Sequence, residues 1–279
     1  MQTDWILLVV IGAAVLHGAW HALIKAGADR LVGLAGMNIV SAGIAWPAVF
    51  WLPPLPQSVW PVLAASILLH AIYKLSISVL YSTGDLGQGY PIARGLVPLF
   101  ATLAAFGLLG EIPSMAQAAG ILLISCGLLA MALDGRRVAL APRFWVAAIA
   151  TALSVAAYSA VDGMGIRASG EPYSYIAWLV ALDGSFFVLV AFVMRRGRLF
   201  SALRDQAAPI LLSGLLGTAS FSIFLFALSR APIGVVSALR ETSVLVVTLF
   251  GYFMLREDVR RLRLVGAIII FVGIVICSR

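Results

Sequence analysis

Six ionisable side chains sit where a chain can least tolerate them. Lys74, Arg94, Asp162, Asp183, Arg240 and Glu241 all fall inside runs of apolar residues. A charge at the centre of a membrane helix costs roughly 2.5–3.5 kcal/mol on insertion scales. Six of them imply partners, a polar cavity, or both. A guanidinium group holds carboxylate or phosphate through two parallel hydrogen bonds, which an ammonium cannot reproduce. Two arginines and a lysine therefore favour a ligand with an anionic group. Glu241, Asp183 and Asp162 would bind an amine on the same ligand or carry a coupling proton. The competing reading is structural: buried Arg and Glu lock helices together, and the long stem of Lys74 pairs or snorkels. Asp162 lies near the end of its run, where a solvated cap is as good a reading as a cavity role.

Spacing sorts these groups onto faces. His70, Lys74, Ser78 and Tyr81 recur at three- and four-residue steps, as do His17, Trp20, His21 and Lys25. Ser154, Tyr158 and Asp162 form a third stripe, and Tyr90, Arg94 and Pro98 a fourth. Ser237, Arg240 and Ser243 form a fifth, with Glu241 on an adjacent side. Helix neighbours three and four apart share a face, whereas adjacent residues diverge. Arg240 and Glu241 must therefore serve different neighbours, with Lys74 or Arg94 as the cation for Glu241. The candidate binding set is Arg94, Arg240, Lys74, Tyr90, His17, His21, Trp20, Tyr158, His70 and Ser237. His17 and His21 have the i,i+4 spacing of metal ligands, but no third ligand is placed by sequence, so neither metal site nor cofactor is expected.

The elements that must position these residues are helices in a bilayer. Of 279 residues, 62% are hydrophobic and 11% charged, against about 25% charged in soluble domains. Ten runs are long enough to cross: about 5–26, 32–52, 59–82, 86–109, 114–133, 143–166, 173–194, 207–229, 232–255 and 262–278. They lack the alternation of a membrane β-strand, so an all-α protein is expected. The opening MQTDWILLVV has neither a basic segment nor a small-residue cleavage site, and reads as a retained span. Cys126 and Cys277 both lie in apolar runs, so no disulfide is expected. The net charge of +7 comes largely from arginines in short loops and does not imply nucleic acid.

The chain repeats itself. Residues 84–133 shifted by 146 fall on 230–279, bringing Arg94 onto Arg240, Glu111 onto Glu257, Gly120 onto Gly266 and Gly127 onto Gly273. The first span overlies the sixth at a shift of 138, where Trp20 meets Tyr158. Five spans per repeat is an odd number, so the second copy must enter the membrane from the opposite side. Two inverted five-helix repeats, 1–135 and 136–279, are the predicted domains. Such inverted repeats recur in secondary transporters, with the substrate site at their interface near the midplane.

LHGAWHALIK (16–25), the fourth span ending in LLGE, its partner ending in LREDVRRLRLVGAIIIFVGI, and the repeat itself carry a resemblance. The chain resembles the drug/metabolite transporter superfamily, in its ten-helix EamA branch. That resemblance implies alternating-access transport of a small metabolite through a central cavity, without naming the substrate.

Loop charges set the orientation. With the N-terminus on one side, thirteen of the nineteen basic residues lie in loops on the opposite side and three on its own. The positive-inside rule then puts both termini outside a plasma (inner) membrane, whereas the family resemblance implies cytoplasmic termini. The expected partners are a small-molecule substrate, lipid and, where transport is coupled, protons, with the protein a monomer or homodimer. No nucleotide-binding G-x-x-x-x-G-K-[ST] loop is present to power a pump. A membrane enzyme or flippase acting on a lipid or isoprenoid-linked substrate is the alternative. It lacks support from an H-E-x-x-H or G-x-S-x-G motif.

Overall fold

A computed structural model describes residues 4–27, 29–83, 86–132, 142–195, 199, 203–246 and 261–277. These residues are helical with short connections, and no strand occurs among them. The helices are α1 (Asp4–Ala26), α2 (Arg30–Trp51), α3 (Trp60–Thr83), α4 (Leu86–Leu109), α5 (Met115–Ala132), α6 (Pro142–Ser169), α7 (Pro172–Met194), α8 (Ala207–Leu228), α9 (Ile233–Arg240) and α10 (Arg261–Cys277). Seven helical stretches, from α2 to α8, are long and apolar enough to cross a bilayer, and α1 adds the shorter apolar stretch Leu8–Ile24.

Local sequence sets where the helices start and stop. The Asp29 carboxylate accepts from the backbone amides of Leu31 and Val32, capping α2. Ser114 and Gln117 form a reciprocal capping box at the start of α5. Gly110 ends α4 with φ of 66°, and the amide of Glu111 reaches back to the carbonyl of Ala105. This is the six-residue closure of a Schellman motif, which needs a left-handed residue that glycine adopts without penalty. It also delivers Glu111 to the end of the bundle.

Packing is pairwise. α5 lies along α10, and α2 along α7. α3 packs on α6 and α1 on α8, while α4 contacts α6 and α1 contacts α9. The α5–α10 seam is closed by four glycines. A β-carbon on Gly120 would lie 2.7 Å from the carbonyl oxygen of Gly273, and one on Gly127 would lie 2.8 Å from that of Gly266. Gly266 and Gly273 stand equally close to Gly127 and Gly120 in return. Small residues let the backbones touch where dispersion, not water exclusion, must hold helices together.

The surface is inside out relative to a soluble domain. Phe50, Trp51, Ile112 and Met115 are 80–89% exposed, whereas Lys74, Arg94, Asp162, Asp183, Arg240 and Glu241 are all buried. An apolar exterior of this extent belongs against lipid. The chain is an integral, multi-pass membrane protein.

Two sequence expectations change. Asp162 is not a solvated cap: α6 runs on to Ser169, leaving Asp162 fully buried between α3 and α7. The ninth run is not one continuous helix. α9 stops at Arg240, residues 241–242 form a turn, and helix resumes at 243–246, with the rest of that run outside the described residues. The amides of Glu241, Thr242, Val244 and Leu245 bond three residues back, the tighter 3-10 pattern. Thr242 Oγ1 donates to the carbonyl of Leu239 at 2.8 Å, competing for a helix acceptor at the break. In α4, by contrast, Pro91 and Pro98 sit within an unbroken helix.

Candidate functional site

The broken α9 gives Arg240 and Glu241 separate partners. Glu241 turns toward α4, where its Oε1 accepts from Arg94 Nη1 at 3.0 Å, with both side chains fully buried. Arg94 Nη2 lies 2.7 Å from His17 Nε2 and 3.2 Å from His21 Nε2. The His17 and His21 imidazoles, 3.1 Å apart at their Nε2 atoms, thus face a guanidinium. Among the described residues no group of three His, Cys, Asp or Glu is placed to hold a metal. Trp20 donates from its indole to His17 Nδ1 and stacks on His21 with centroids 3.7 Å apart. Arg94, Glu241, His17 and His21 form one knot joining α1, α4 and the break after α9.

Arg240 points elsewhere. Its Nη1 donates to the hydroxyl of Tyr158 at 3.0 Å, and its guanidinium lies 4.2 Å from the centroid of Phe224. It has no carboxylate partner among the described residues, and its Nε has no hydrogen-bond acceptor. A third cation, Lys74, donates to Asp183 and to Asn38, each at 2.7 Å, and sits over the Phe187 ring. Asp183 keeps one carboxylate oxygen without a donor.

Arg240, Lys74 and Asp183 line one central cavity together with His17, Trp20, His70, Tyr73, Tyr158, Asn38 and Phe221. Its volume is ≈ 70 Å³. A water molecule takes a share of about 30 Å³ in the liquid, and pockets for drug-sized ligands run to roughly 300–1,000 Å³. The space between the polar groups is therefore smaller than a pocket for a drug-sized ligand.

Of the sequence candidates, Arg240, Lys74, His17, Trp20, Tyr158 and His70 meet at this cavity. Arg94 and His21 stand behind it in the ion-paired knot. Ser237 is buried on α9, away from the cavity wall, with no partner for its hydroxyl. The Tyr90 side chain lies outside the described residues. Sequence reasoning missed the second and eighth spans, which supply Asn38, Ser41, Thr218 and Phe221. Asn38 is the only asparagine in the chain and sits mid-run, a signal that was available.

Near each end of the bundle an ion pair joins the two halves of the sequence. Arg167 pairs with Glu111 and also donates to the carbonyls of Leu228 and Ala231, while Glu111 accepts from the amide of Ile233 at the start of α9. Arg195 pairs with Asp29 at the other end.

The comparisons with known proteins agree with this architecture. Residues 144–279 match the EamA-like transporter family. That match, over just under half of the chain, supports an EamA-type assignment within the drug/metabolite transporter superfamily. One crystal structure of another protein superposes with a TM-score of 0.69, covering 99% of this chain and 96% of that one at 16% identity. At that identity the likeness speaks for the fold alone. No curated protein matches the sequence.

Proposed function

We propose that this protein is a secondary transporter that moves a small polar metabolite bearing an anionic group by alternating access. The observation that carries the reading is Arg240, a buried arginine at the wall of a central cavity with no carboxylate partner among the described residues. A buried cation without a counter-ion is costly, and a substrate carboxylate or phosphate would supply one. Asp183 lines the same cavity and keeps one carboxylate oxygen without a donor. It suits an ammonium on the same molecule, so a zwitterion satisfies both ends.

The contact pattern supports two inverted repeats of five membrane helices, residues 1–135 and 136–279. Exchanging α1 with α6, α2 with α7, α3 with α8, α4 with α9 and α5 with α10 maps the observed pairings onto one another: α3–α6 becomes α8–α1, and α4–α6 becomes α9–α1. The glycines obey the same exchange, since Gly120 against Gly273 becomes Gly266 against Gly127. The asymmetry of loop charge supports a plasma (inner) membrane protein with both termini outside.

The test is a thermal-shift screen of detergent-purified protein against amino acids, small carboxylates, phosphorylated metabolites, phosphonates and amines. A ligand that binds only the folded state raises the melting temperature by mass action. Carboxylates or zwitterions should give the shift, and Arg240→Lys should weaken binding of the same compound by about tenfold or more while leaving melting of the free protein unchanged. Stabilisation by amines alone, or native affinity in Arg240→Lys, refutes the anion site. Turnover of an isoprenoid phosphate by the purified protein would favour the enzyme alternative.

A further inference from the structure

Among the described residues three carboxylates are buried in the interior, and two of them are neutralised by basic partners: Glu241 by Arg94 and Asp183 by Lys74. Asp162 is different. It is fully buried, and among the described residues no arginine or lysine pairs with it. Its Oδ1 accepts from the hydroxyls of Ser66 and, at 3.4 Å, Tyr175. Its Oδ2 has no hydrogen-bond partner. The atom facing it, 3.6 Å away, is His70 Nε2, which also has none.

The bonding of His70 shows what must lie between them. His70 Nδ1 sits 3.1 Å from the carbonyl oxygen of Ser66, which can only accept, and 3.2 Å from the Ser66 hydroxyl, whose hydrogen goes to Asp162 Oδ1; with both neighbours accepting, Nδ1 carries hydrogen. In a neutral imidazole the other nitrogen, Nε2, is then a bare acceptor. An ionised Asp162 would set a buried acceptor against a buried acceptor, with no arginine or lysine in contact with it among the described residues. One added proton removes the conflict. It rests on the imidazole, giving an imidazolium beside a carboxylate, or on the carboxyl, giving an acid donating to Nε2.

The pair is wired to the substrate cavity. The His70 ring stacks on Tyr158 with centroids 4.1 Å apart, and the Tyr158 hydroxyl holds Arg240. His70, Tyr158 and Arg240 all line the cavity, whereas Asp162 stands behind it. The other charged or titratable groups around the pair are engaged. On α3, Lys74 is bound to Asp183 of α7; Tyr175 of α7 donates to Asp162 itself; Arg94 of α4 is bound to Glu241; Arg240 is held by Tyr158 of α6; and Arg167, further along α6, is bound to Glu111. Tyr73 of α3 lies edge-on to Tyr158 with centroids 5.6 Å apart.

We infer that Asp162 and His70 together hold one exchangeable proton, and that this proton is the coupling ion of transport. Losing it leaves a negative charge facing the His70 lone pair. The ring then moves off Tyr158 and loosens the tether on Arg240, so proton release and the hold on an anionic substrate become linked. Linkage of this kind is reciprocal: substrate at Arg240 must also alter proton affinity at the pair. The coupling half of the inference rests on the transporter reading; the shared proton does not.

The two halves are tested separately. With only three histidines in the chain, nitrogen NMR of histidine-labelled protein in detergent resolves the state of each, with His70→Gln assigning the His70 signal. Carbon NMR of aspartate-labelled protein, assigned with Asp162→Asn, reports the carboxyl. The expected result is a range of pH in which either His70 is an imidazolium or Asp162 a carboxylic acid, both reverting in one shared step as pH rises. A neutral His70 beside an ionised Asp162 at every pH where the protein is folded overturns the shared proton.

Coupling is read in proteoliposomes under an imposed pH gradient, using a mixture of free amino acids and small carboxylic acids followed by mass spectrometry. Wild type should concentrate at least one component, by up to about tenfold per pH unit for one proton per substrate. Asp162→Asn should let that component equilibrate without concentrating it. Gradient-driven accumulation by Asp162→Asn overturns the coupling role, as does wild type that equilibrates a component and never concentrates it. Wild type that moves no component sinks the transporter reading itself, and the NMR result stands apart from it.

Discussion

Arg94 and Glu241, 147 residues apart in sequence, meet at 3.0 Å with no exposure of either side chain, while Arg240, one residue before Glu241, has no carboxylate partner among the described residues. The two arginines that the proposed repeat would pair therefore have different partners. One closes a buried knot between helices. The other is left to face the cavity. The divergence rests on the 3-10 turn after Arg240, which sends neighbouring side chains to different helices.

Substitution at the knot should act on folding first. Arg94→Met strands the Glu241 carboxylate, and Glu241→Leu strands the guanidinium. Breaking one side of a buried pair typically costs about 3–5 kcal/mol. Each single variant should lose folded protein in detergent, and the double variant Arg94→Met/Glu241→Leu should recover much of the loss. Thermal unfolding of the three variants measures this. A double variant no more stable than either single would mean that the two imidazoles beside Arg94, and not the ion pair, carry the energy.

Much of this arrangement was legible in the sequence. Helical periodicity inside apolar runs placed His17, Trp20, His70, Lys74, Tyr158 and Arg240 on inward faces, and they do converge. The EamA resemblance was also readable from its motifs. Pairing was less legible, because which cation answers Glu241 depends on helix contacts far apart in sequence. The break after Arg240 was invisible, since no proline or glycine marks it. Asp162 was left open between a cap and a cavity role because its run was ended too early, before Arg167 and Ser169. Asn38 escaped because a single amide carries no periodicity.

The glycine seam gives a prediction about stability alone. Gly127 has no room for a side chain, as its β-carbon would meet Ile270 Cγ1 at 2.7 Å. Gly127→Leu should push α5 from α10 and lower the melting temperature by many degrees, within the usual range of about 1–3 kcal/mol or more for overpacking. Gly107 in α4 has nothing within 4 Å of where a β-carbon would stand. Gly107→Ala should be neutral or stabilising by up to about 1 kcal/mol, through helix propensity. Equal losses at the two sites would show that the seam is not tightly packed.

Orientation can be fixed chemically. In a background with Cys126 and Cys277 replaced, single cysteines at the exposed positions Gln57 and Arg204 lie in connections at opposite ends of the bundle. With the termini outside, a membrane-impermeant maleimide added to intact cells should label position 57 and reach position 204 only after permeabilisation. The reverse pattern would put both termini in the cytoplasm and leave the bundle geometry untouched.

Lys74 and Asp183 offer a test of whether the cavity wall is structural or selective. Their contact at 2.7 Å is shared with Asn38, so Lys74 answers two acceptors while Asp183 keeps one oxygen free. Asn38→Leu removes one acceptor of Lys74 and leaves the ion pair. It should cost little more than the roughly 1.5–3 kcal/mol of a hydrogen bond to a charged group. Asp183→Asn removes the counter-ion of Lys74 and adds a second uncompensated cation beside Arg240. If the cavity takes a zwitterion, Asp183→Asn should weaken binding of the zwitterion by about tenfold or more while strengthening or sparing binding of a simple monocarboxylate of similar size. Side-by-side titration of the two ligands against the purified variant reads the switch. Parallel loss of both would mean that Asp183 serves only to hold Lys74, and that the positive end of the substrate, if it has one, is met elsewhere along the aromatic wall of Trp20, Tyr73 and Phe221.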